Sequence, residues 1–159
     1  MSVLDVPVQP LAVQVLCADG RSFSGVIFLP PMASRHSGPM RAEEWMNDPS
    51  PFFPFVNDSQ SGPAEGFLLN KREVLVLTVP ADADRDDLPA EAHTHHRKVT
   101  IECEAQRLTG LVEIDMPENL ARVVDYMNRP EPFLTLRAGD RHHLIQKERI
   151  TRVIDEGEA

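Results

Sequence analysis

Apolar residues alternate with polar ones over much of this chain, which is the period of a half-buried β-strand. Val13, Val15 and Cys17 share one face of the first such segment. Asp19-Gly20 follows as a turn, and residues 22–30 then alternate again. The pattern predicts a mainly β protein built from short strands joined by turns.

The same series of segments occurs twice, and this repetition is the most informative feature of the chain. Four blocks of the first copy have counterparts in the same order: 13–17 with 99–103, 24–29 with 109–114, 45–52 with 126–133, and 68–74 with 144–150. The offset between the copies falls from 86 through 81 to 76 residues, which indicates shorter loops in the second copy. We interpret the chain as two copies of one ancestral unit.

Each copy also has a short helical pattern between its second and third strands. Asp115 and Glu118 have the spacing of a capping box in the second copy. The apolar stripes of the two helices are Ala42, Trp45 and Met46 in the first copy, and Leu120, Val123, Val124 and Met127 in the second. Asn47 and Asn128 suit the left-handed position that ends a helix. The predicted order of elements in each copy is β-β-α-β-β-β.

Charge and composition divide the chain into four segments. We predict a first unit at 1–80, an acidic, histidine-containing linker at 81–96, a second unit at 97–155 and an acidic tail at 156–159. The net charge is −9, of which the linker carries −4, so the acidity disfavours polyanions only mildly. Since no apolar run approaches a membrane span, a cytoplasmic location is expected.

The strand with Gly25 or Gly110 at its centre and the L/I-x-K-x-x-I/V corner resemble the Sm-like and SH3-like small β-barrels. This resemblance covers most of residues 11–79 and 97–154. It implies two tandem small barrels, each with a short inserted helix, related by a pseudo-twofold axis. The block Arg-x-x-acidic-aromatic-Met-Asn also resembles a signature of uncharacterised bacterial domains, and its arginine and acidic residue are expected to form an i,i+3 ion pair.

The resemblance does not extend to RNA binding. Sm-like proteins bind RNA through an aspartate–asparagine loop and an arginine–glycine turn. Asp125 and Asn128 match the first element only superficially, because they lie behind the inserted helix. The second element is replaced by Asn70-Lys71-Arg72 in one copy and Gln146-Lys147-Glu148 in the other.

The first copy is apolar on both faces of its strands. Phe28, Pro30 and Val76 stand where the second copy has Glu113, Asp115 and Arg152. Strands that are apolar on both faces are normally covered on both sides. The cover is the second copy, another subunit or a separate partner.

The histidines are the most metal-like group in the sequence, namely His93, His95, His96, His142 and His143. Neighbouring residues on a strand point to opposite faces, and no standard ligand spacing occurs, so we interpret the first three as part of a solvated linker. Cys17 and Cys103 occupy corresponding strands, and we expect two thiols in separate cores rather than a disulfide. No cofactor or metal is predicted.

The sequence contains no catalytic constellation. It lacks a nucleophile elbow and a glycine-rich phosphate loop, and Glu43 and Glu44 are neighbours that diverge on a helix. We therefore predict a protein that is not an enzyme.

The function predicted from sequence is a non-enzymatic protein-interaction or scaffold module of the bacterial cytoplasm, with an unknown protein or a second copy as its partner. Its contact surface is expected around Phe28, Trp45 and Val76, unless these residues fill the seam between the copies. The exposed edge of the fifth strand is available for strand addition. The alternative function is a nucleic-acid or nucleotide-binding regulator that uses a basic stretch: Arg137, Arg141, Lys147 and Arg149.

Overall fold

The computed structural model describes residues 9–30, 40–58, 65–81, 94–115 and 122–158. Within these ranges the chain is mainly β, as expected, and forms a single antiparallel sheet of ten strands with two short helices. The strands are β1 (Gln9–Cys17), β2 (Ser22–Leu29), β3 (Phe52–Asn57), β4 (Glu65–Asn70), β5 (Val74–Pro80), β6 (Thr94–Cys103), β7 (Gln106–Asp115), β8 (Phe133–Ala138), β9 (Arg141–Gln146) and β10 (Ile150–Glu158). The helices are α1 (Ala42–Asn47) and α2 (Val123–Met127).

The sheet consists of two runs of five strands that follow one order. It reads β10-β6-β7-β8-β9-β5-β1-β2-β3-β4, so that β10 and β4 are its two edges. We call β1–β5 with α1 the first half, and β6–β10 with α2 the second half. In each half the fifth strand pairs with the first, and the fourth strand lies at the far side. The halves meet where β9 pairs with β5, with Val76 opposite Ile145 and Pro80 opposite Arg141.

Strand register also coincides between the halves. Cys17 lies opposite Val74 and Cys103 opposite Ile150, and an irregularity in the pairing occurs at the same place in both. The β3–β4 and β8–β9 hairpins also share a register, with Phe52 opposite Asn70 and Phe133 opposite Gln146. Positions within β3, β4 and β5 therefore correspond residue by residue to those within β8, β9 and β10.

A strand glycine occupies the same position in each half. Gly25 lies opposite Val13, and Gly110 lies opposite Val99. A Cβ atom on Gly25 would overlap the carbonyl oxygen of Val56, and one on Gly110 would overlap the carbonyl oxygen of Arg137. Only glycine lets the third strand approach the second this closely.

The core has two clusters that share strands across the junction. Phe133 and Leu144 of the second half belong to the first cluster, together with Leu77. Leu75 and Val76 of the first half belong to the second cluster. The second half therefore covers β5, which answers why this strand is apolar on both faces.

The helices differ from the sequence expectation at their ends. Asp115 ends β7 instead of capping α2, while Glu118 and Leu120 lie outside the described residues. Asn128 has a φ of −89° and so is not left-handed. The expected ion pairs are present, between Arg41 and Glu44 and between Arg122 and Asp125. Arg41 and Arg122 directly precede the helices.

Two predicted segment boundaries move. Because β6 begins at Thr94, His95 and His96 belong to a strand rather than to the linker, whereas His93 lies outside the described residues. Because β10 continues to Glu158, the predicted acidic tail begins within a strand, and its residues Gly157 and Glu158 pair with β6. No helix in the described part of the chain has the length and apolar character needed to span a membrane.

Candidate interaction surface

The junction inside the chain shows how one half binds another. The Nδ2 atom of Asn47, at the end of α1, donates to the Phe133 carbonyl oxygen at 3.2 Å. The Oδ1 atom of Asn47 accepts from the Phe133 backbone amide at 2.8 Å. The helix of the first half thus holds the first residue of β8, and the Phe133 ring enters the first cluster.

A second amide side chain holds the same end of the junction, because Gln146 pairs with Phe133. Gln146, the last residue of β9, lies with its Nε2 atom 2.8–3.0 Å from three carbonyl oxygens of the first half, those of Lys71, Arg72 and Val74. These carbonyls belong to the 3-10 turn Lys71–Glu73 and the start of β5. Gln146 is buried, so its contacts satisfy backbone oxygens that water does not reach readily.

Further along the junction, away from Phe133 and Gln146, a histidine forms a hydrogen bond across the paired strands. The Nδ1 atom of His143 lies 2.8 Å from the Thr78 hydroxyl oxygen, and the two residues are opposite each other in the β5–β9 pair. Burial, followed by the positive charge of Arg141 and then by His142, lowers the pKa of His143 below its usual range. The neutral ring is therefore favoured at the junction.

The free edge at β4 presents the apolar face that β9 buries. Phe52 and Leu68 occupy in β3 and β4 the positions that Phe133 and Leu144 occupy in β8 and β9. Phe133 and Leu144 are 3% and 0% exposed, whereas Phe52 and Leu68 are 53% and 66% exposed. The β4 end of the sheet therefore carries the same apolar residues that β8 and β9 bury at the internal junction, but here they are exposed.

The edge at β10 has an open cavity of about 760 Å³ beside α2. Its apolar lining consists of Val123, Val124, Met127 and Val153. The side chains around these are polar or charged: His95, Arg97, Arg122, Asp155 and Glu158. Val124 is 51% exposed, so this residue of the predicted apolar stripe is not part of the core.

The corresponding place in the first half is filled. Ala42, Met46 and Leu77 stand where the second half has Val123, Met127 and Val153, and they share the first cluster with Phe133 and Leu144. The cavity at β10 is thus the counterpart of a space that the second half occupies at β5.

The three residues predicted to form a contact surface do not form one exposed patch. Val76 is 5% exposed and lies within the junction, in the second cluster. Trp45 is half-buried in α1, with its ring centroid 5.0 Å from that of Phe53 in an edge-on arrangement. Phe28 is half-buried on β2 and stays a candidate contact.

The basic stretch does not converge on a ligand. Arg137 forms an ion pair with Glu113. The Nη1 atom of Arg149 lies 3.7 Å from the Oε1 atom of Glu104. Arg141 lies opposite Ala138, next to the Arg137–His142 pair, so the side chains of Arg137 and Arg141 point to opposite faces.

Lys147 is half-buried and hydrogen-bonded within its own half. Its Nζ atom donates to the Arg129 carbonyl oxygen at 3.0 Å, and burial lowers the pKa of its ammonium group. Four cations on separate faces and ends do not form one site for an anion.

The remaining candidate chemistry is structural. Cys17 and Cys103 are buried, unpaired with each other and located in different clusters, as expected, and burial raises the pKa of both thiols. The Nε2 atom of His96 lies 3.8 Å from the Oε2 atom of Glu113. Across the described ranges no group of three or more His, Cys, Asp or Glu side chains is placed to hold a metal ion.

Comparisons of the chain with protein-family models, with curated proteins and with solved structures gave no match in any of the three. Function is therefore inferred from the arrangement of these residues alone.

Proposed function

We propose that this protein is a non-enzymatic protein-interaction module that binds other chains at the two open edges of its sheet. The observation that carries the proposal is the exposure of Phe52 and Leu68 beside β4, whose outer edge pairs with no other strand among the described residues. An edge strand offers a row of backbone donors and acceptors, and natural proteins usually protect it with charge or cover. Exposed rings and aliphatic chains at an edge instead favour binding by strand addition.

The proposed architecture is a pair of small units of the Sm-like or SH3-like barrel type in tandem. Three observations support it: the repeated strand order, the coincident register of the halves, and the close approach at Gly25 and Gly110. A scaffold role follows from the two unlike ends, because one chain then has two different contact surfaces. The bacterial cytoplasm is the proposed location.

The proposal is tested by affinity capture from a bacterial lysate with edge variants. Leu68→Lys changes the β4 edge and Val124→Lys changes the cavity at β10, and both sites are already exposed. Ala105→Lys adds the same charge in the exposed β6–β7 turn and is the matched control. Proteins retained by wild type and control, but lost by an edge variant, would support binding at the edges.

Nuclease and salt arms separate the alternative function from this one. Partners of an interaction module stay bound after nuclease treatment and at high salt. A bound set that disappears with nuclease, weakens steeply with salt and is unchanged in both edge variants would support the nucleic-acid alternative and contradict the proposal.

A further inference from the structure

We propose that the partner at both edges is a second copy of this chain, bound head to tail. The β4 end of one copy docks on the β10 and α2 end of the next, and this contact repeats the junction that β9 makes with β5 inside the chain. This inference rests on the proposed function, since it assigns an occupant to the same two edges.

Shape is the first argument for a second copy. Inside the chain, Phe133 and Leu144 fill the space beside Leu77 in the first cluster. Their counterparts Phe52 and Leu68 are exposed at one end of the chain, and a cavity of about 760 Å³ is open beside Val153 at the other. The exposed side chains and the cavity thus stand at the positions that correspond to the two sides of the internal junction.

The distribution of exposed apolar residues is the second argument. Among the described residues, the large hydrophobic side chains that are exposed are Phe52, Leu68 and Val124. Two lie on the docking hairpin and the third lines the receiving cavity. Head-to-tail contact buries all three at once, which a partner at a single end does not do.

Polar groups match as well. Asn128 stands at the end of α2 where Asn47 stands at the end of α1, and it is exposed. In the assembly its carboxamide binds the backbone of Phe52 from the next copy, as Asn47 binds Phe133. In the assembly Asn70 takes the place of Gln146, next to the 3-10 turn Lys147–Arg149 of the following copy, although its side chain is one methylene shorter. Its Oδ1 atom already accepts from the Arg72 backbone amide at 3.0 Å, so Nδ2 is the atom that donates to this turn.

Register gives the contact a definite form. Leu77 is opposite Leu144 in the internal pair, so Val153 of one copy lies opposite Leu68 of the next. By the same correspondence Ile154 lies opposite Phe67. The strands are antiparallel and the sheet continues from copy to copy.

The junction between copies is weaker than the one inside the chain. Leu75 and Val76 are buried in the second cluster, whereas their counterparts Thr151 and Arg152 on β10 are exposed. Less apolar area is therefore buried on that face. The assembly should consequently dissociate on dilution while each chain stays folded.

Because the two ends differ, the contact is heterologous and leads to closed rings or open chains of copies. A mixing experiment tests this directly by analytical ultracentrifugation. Wild type and the Ala105→Lys control should sediment as assemblies at high concentration. Leu68→Lys alone and Val124→Lys alone should be monomers, with the association constant reduced at least tenfold.

An equimolar mixture of these two variants should form a heterodimer. Leu68→Lys retains an intact β10 end and Val124→Lys retains an intact β4 end, so one sound junction per pair remains. A monomeric wild type at all concentrations, or a mixture that stays monomeric, would overturn the proposal.

Disulfide trapping checks the register. Leu68→Cys mixed with Val153→Cys should give a crosslinked dimer under oxidation, because opposed antiparallel residues have Cα atoms about 4.5–5.5 Å apart, within disulfide range. Each single variant should stay uncrosslinked, since Cys17 and Cys103 are buried. Crosslinked dimers in a single variant would show symmetric pairing and overturn the head-to-tail arrangement.

The two proposals fail in different ways. If wild type is monomeric and yet Leu68→Lys loses captured proteins, the edges bind other partners and the self-assembly is wrong. If neither assembly nor capture changes in the edge variants, the proposed function is wrong as well.

Discussion

The carboxamide of Asn47 binds both backbone groups of Phe133, donating from Nδ2 to the carbonyl oxygen at 3.2 Å and accepting at Oδ1 from the amide at 2.8 Å. The two residues are 86 positions apart in sequence, in different halves of the sheet. One side chain therefore satisfies the backbone where α1 meets β8, and it has an exposed counterpart in Asn128.

Removing this side chain should weaken the junction. Asn47→Ala leaves the Phe133 backbone without its two partners, and we expect the free energy of unfolding to fall by about 1–3 kcal/mol. Urea denaturation of dilute, monomeric protein measures the change. Asn128→Ala is the matched control and should stay within about 0.5 kcal/mol of wild type. Equal losses in the two variants would contradict a special role for Asn47.

Strand glycines give a second prediction. Gly25→Ala brings a Cβ onto the Val56 carbonyl oxygen and within 2.8 Å of the Phe55 ring, so β2 and β3 must separate. The expected loss of unfolding free energy is about 1–3 kcal/mol. In Gly66→Ala the nearest atom to the new Cβ is 4.0 Å away, and thermal unfolding should show little change. A Gly25→Ala protein as stable as Gly66→Ala would refute the close approach.

Lys71 is a buried cation whose role is structural. Its Nζ atom donates to the carbonyl oxygens of Trp45 at 2.8 Å and Asp48 at 2.9 Å, whereas Lys147 at the corresponding position donates to Arg129. Lys71→Met should therefore cost about 1.5–3 kcal/mol of unfolding free energy.

The matched comparison for Lys71 is Lys147→Met in the second half. The Nζ atom of Lys147 donates to one backbone carbonyl oxygen, that of Arg129, and Lys147 is half-buried. Chemical denaturation should therefore show a smaller loss of unfolding free energy than in Lys71→Met. A larger loss of unfolding free energy in Lys147→Met than in Lys71→Met would contradict the structural role assigned to Lys71.

Acid should loosen the junction at His143. Its pKa is lowered in the folded protein, chiefly by burial, so the unfolded chain takes up the proton more readily. The stabilisation is complete above the unfolded pKa of about 6.5 and is lost as the pH falls below it.

The variant His143→Gln isolates this effect from other titrating groups. The difference in unfolding free energy between wild type and variant should shrink between pH 7.5 and pH 5.5, measured as urea midpoints at each pH. A difference in unfolding free energy that is constant over this range, or that grows as the pH falls, would contradict the role of His143 in the pH dependence.

Strand alternation identified the mainly β fold and the two separate cysteine sites, because these depend on local periodicity and on matched positions. It did not identify the junction. A period of two shows that β5 is apolar on both faces, but it does not show which strand covers each face. Val76 was therefore predicted at a possible contact surface, and it lies inside the molecule beside Ile145.

The repeat in the sequence pairs the exposed residues Phe52 and Leu68 with buried counterparts, but strand alternation alone does not show that their exposure differs. Phe52 matches Phe133 and Leu68 matches Leu144, so the residues are alike although their surroundings are opposite. The β8–β9 hairpin is covered because it lies next to the first half of the same chain. The β3–β4 hairpin is exposed because it lies at the edge of the sheet. The basic stretch was grouped by sequence proximity, and strand geometry separates its members.

Amide hydrogen exchange as a function of protein concentration tests most directly whether the open edges close on each other. We expect residues 65–70 in β4 and 150–158 in β10 to gain protection as concentration rises, while β5 and β9 are protected at every concentration. Protection at both edges that does not change over the whole range would contradict the account.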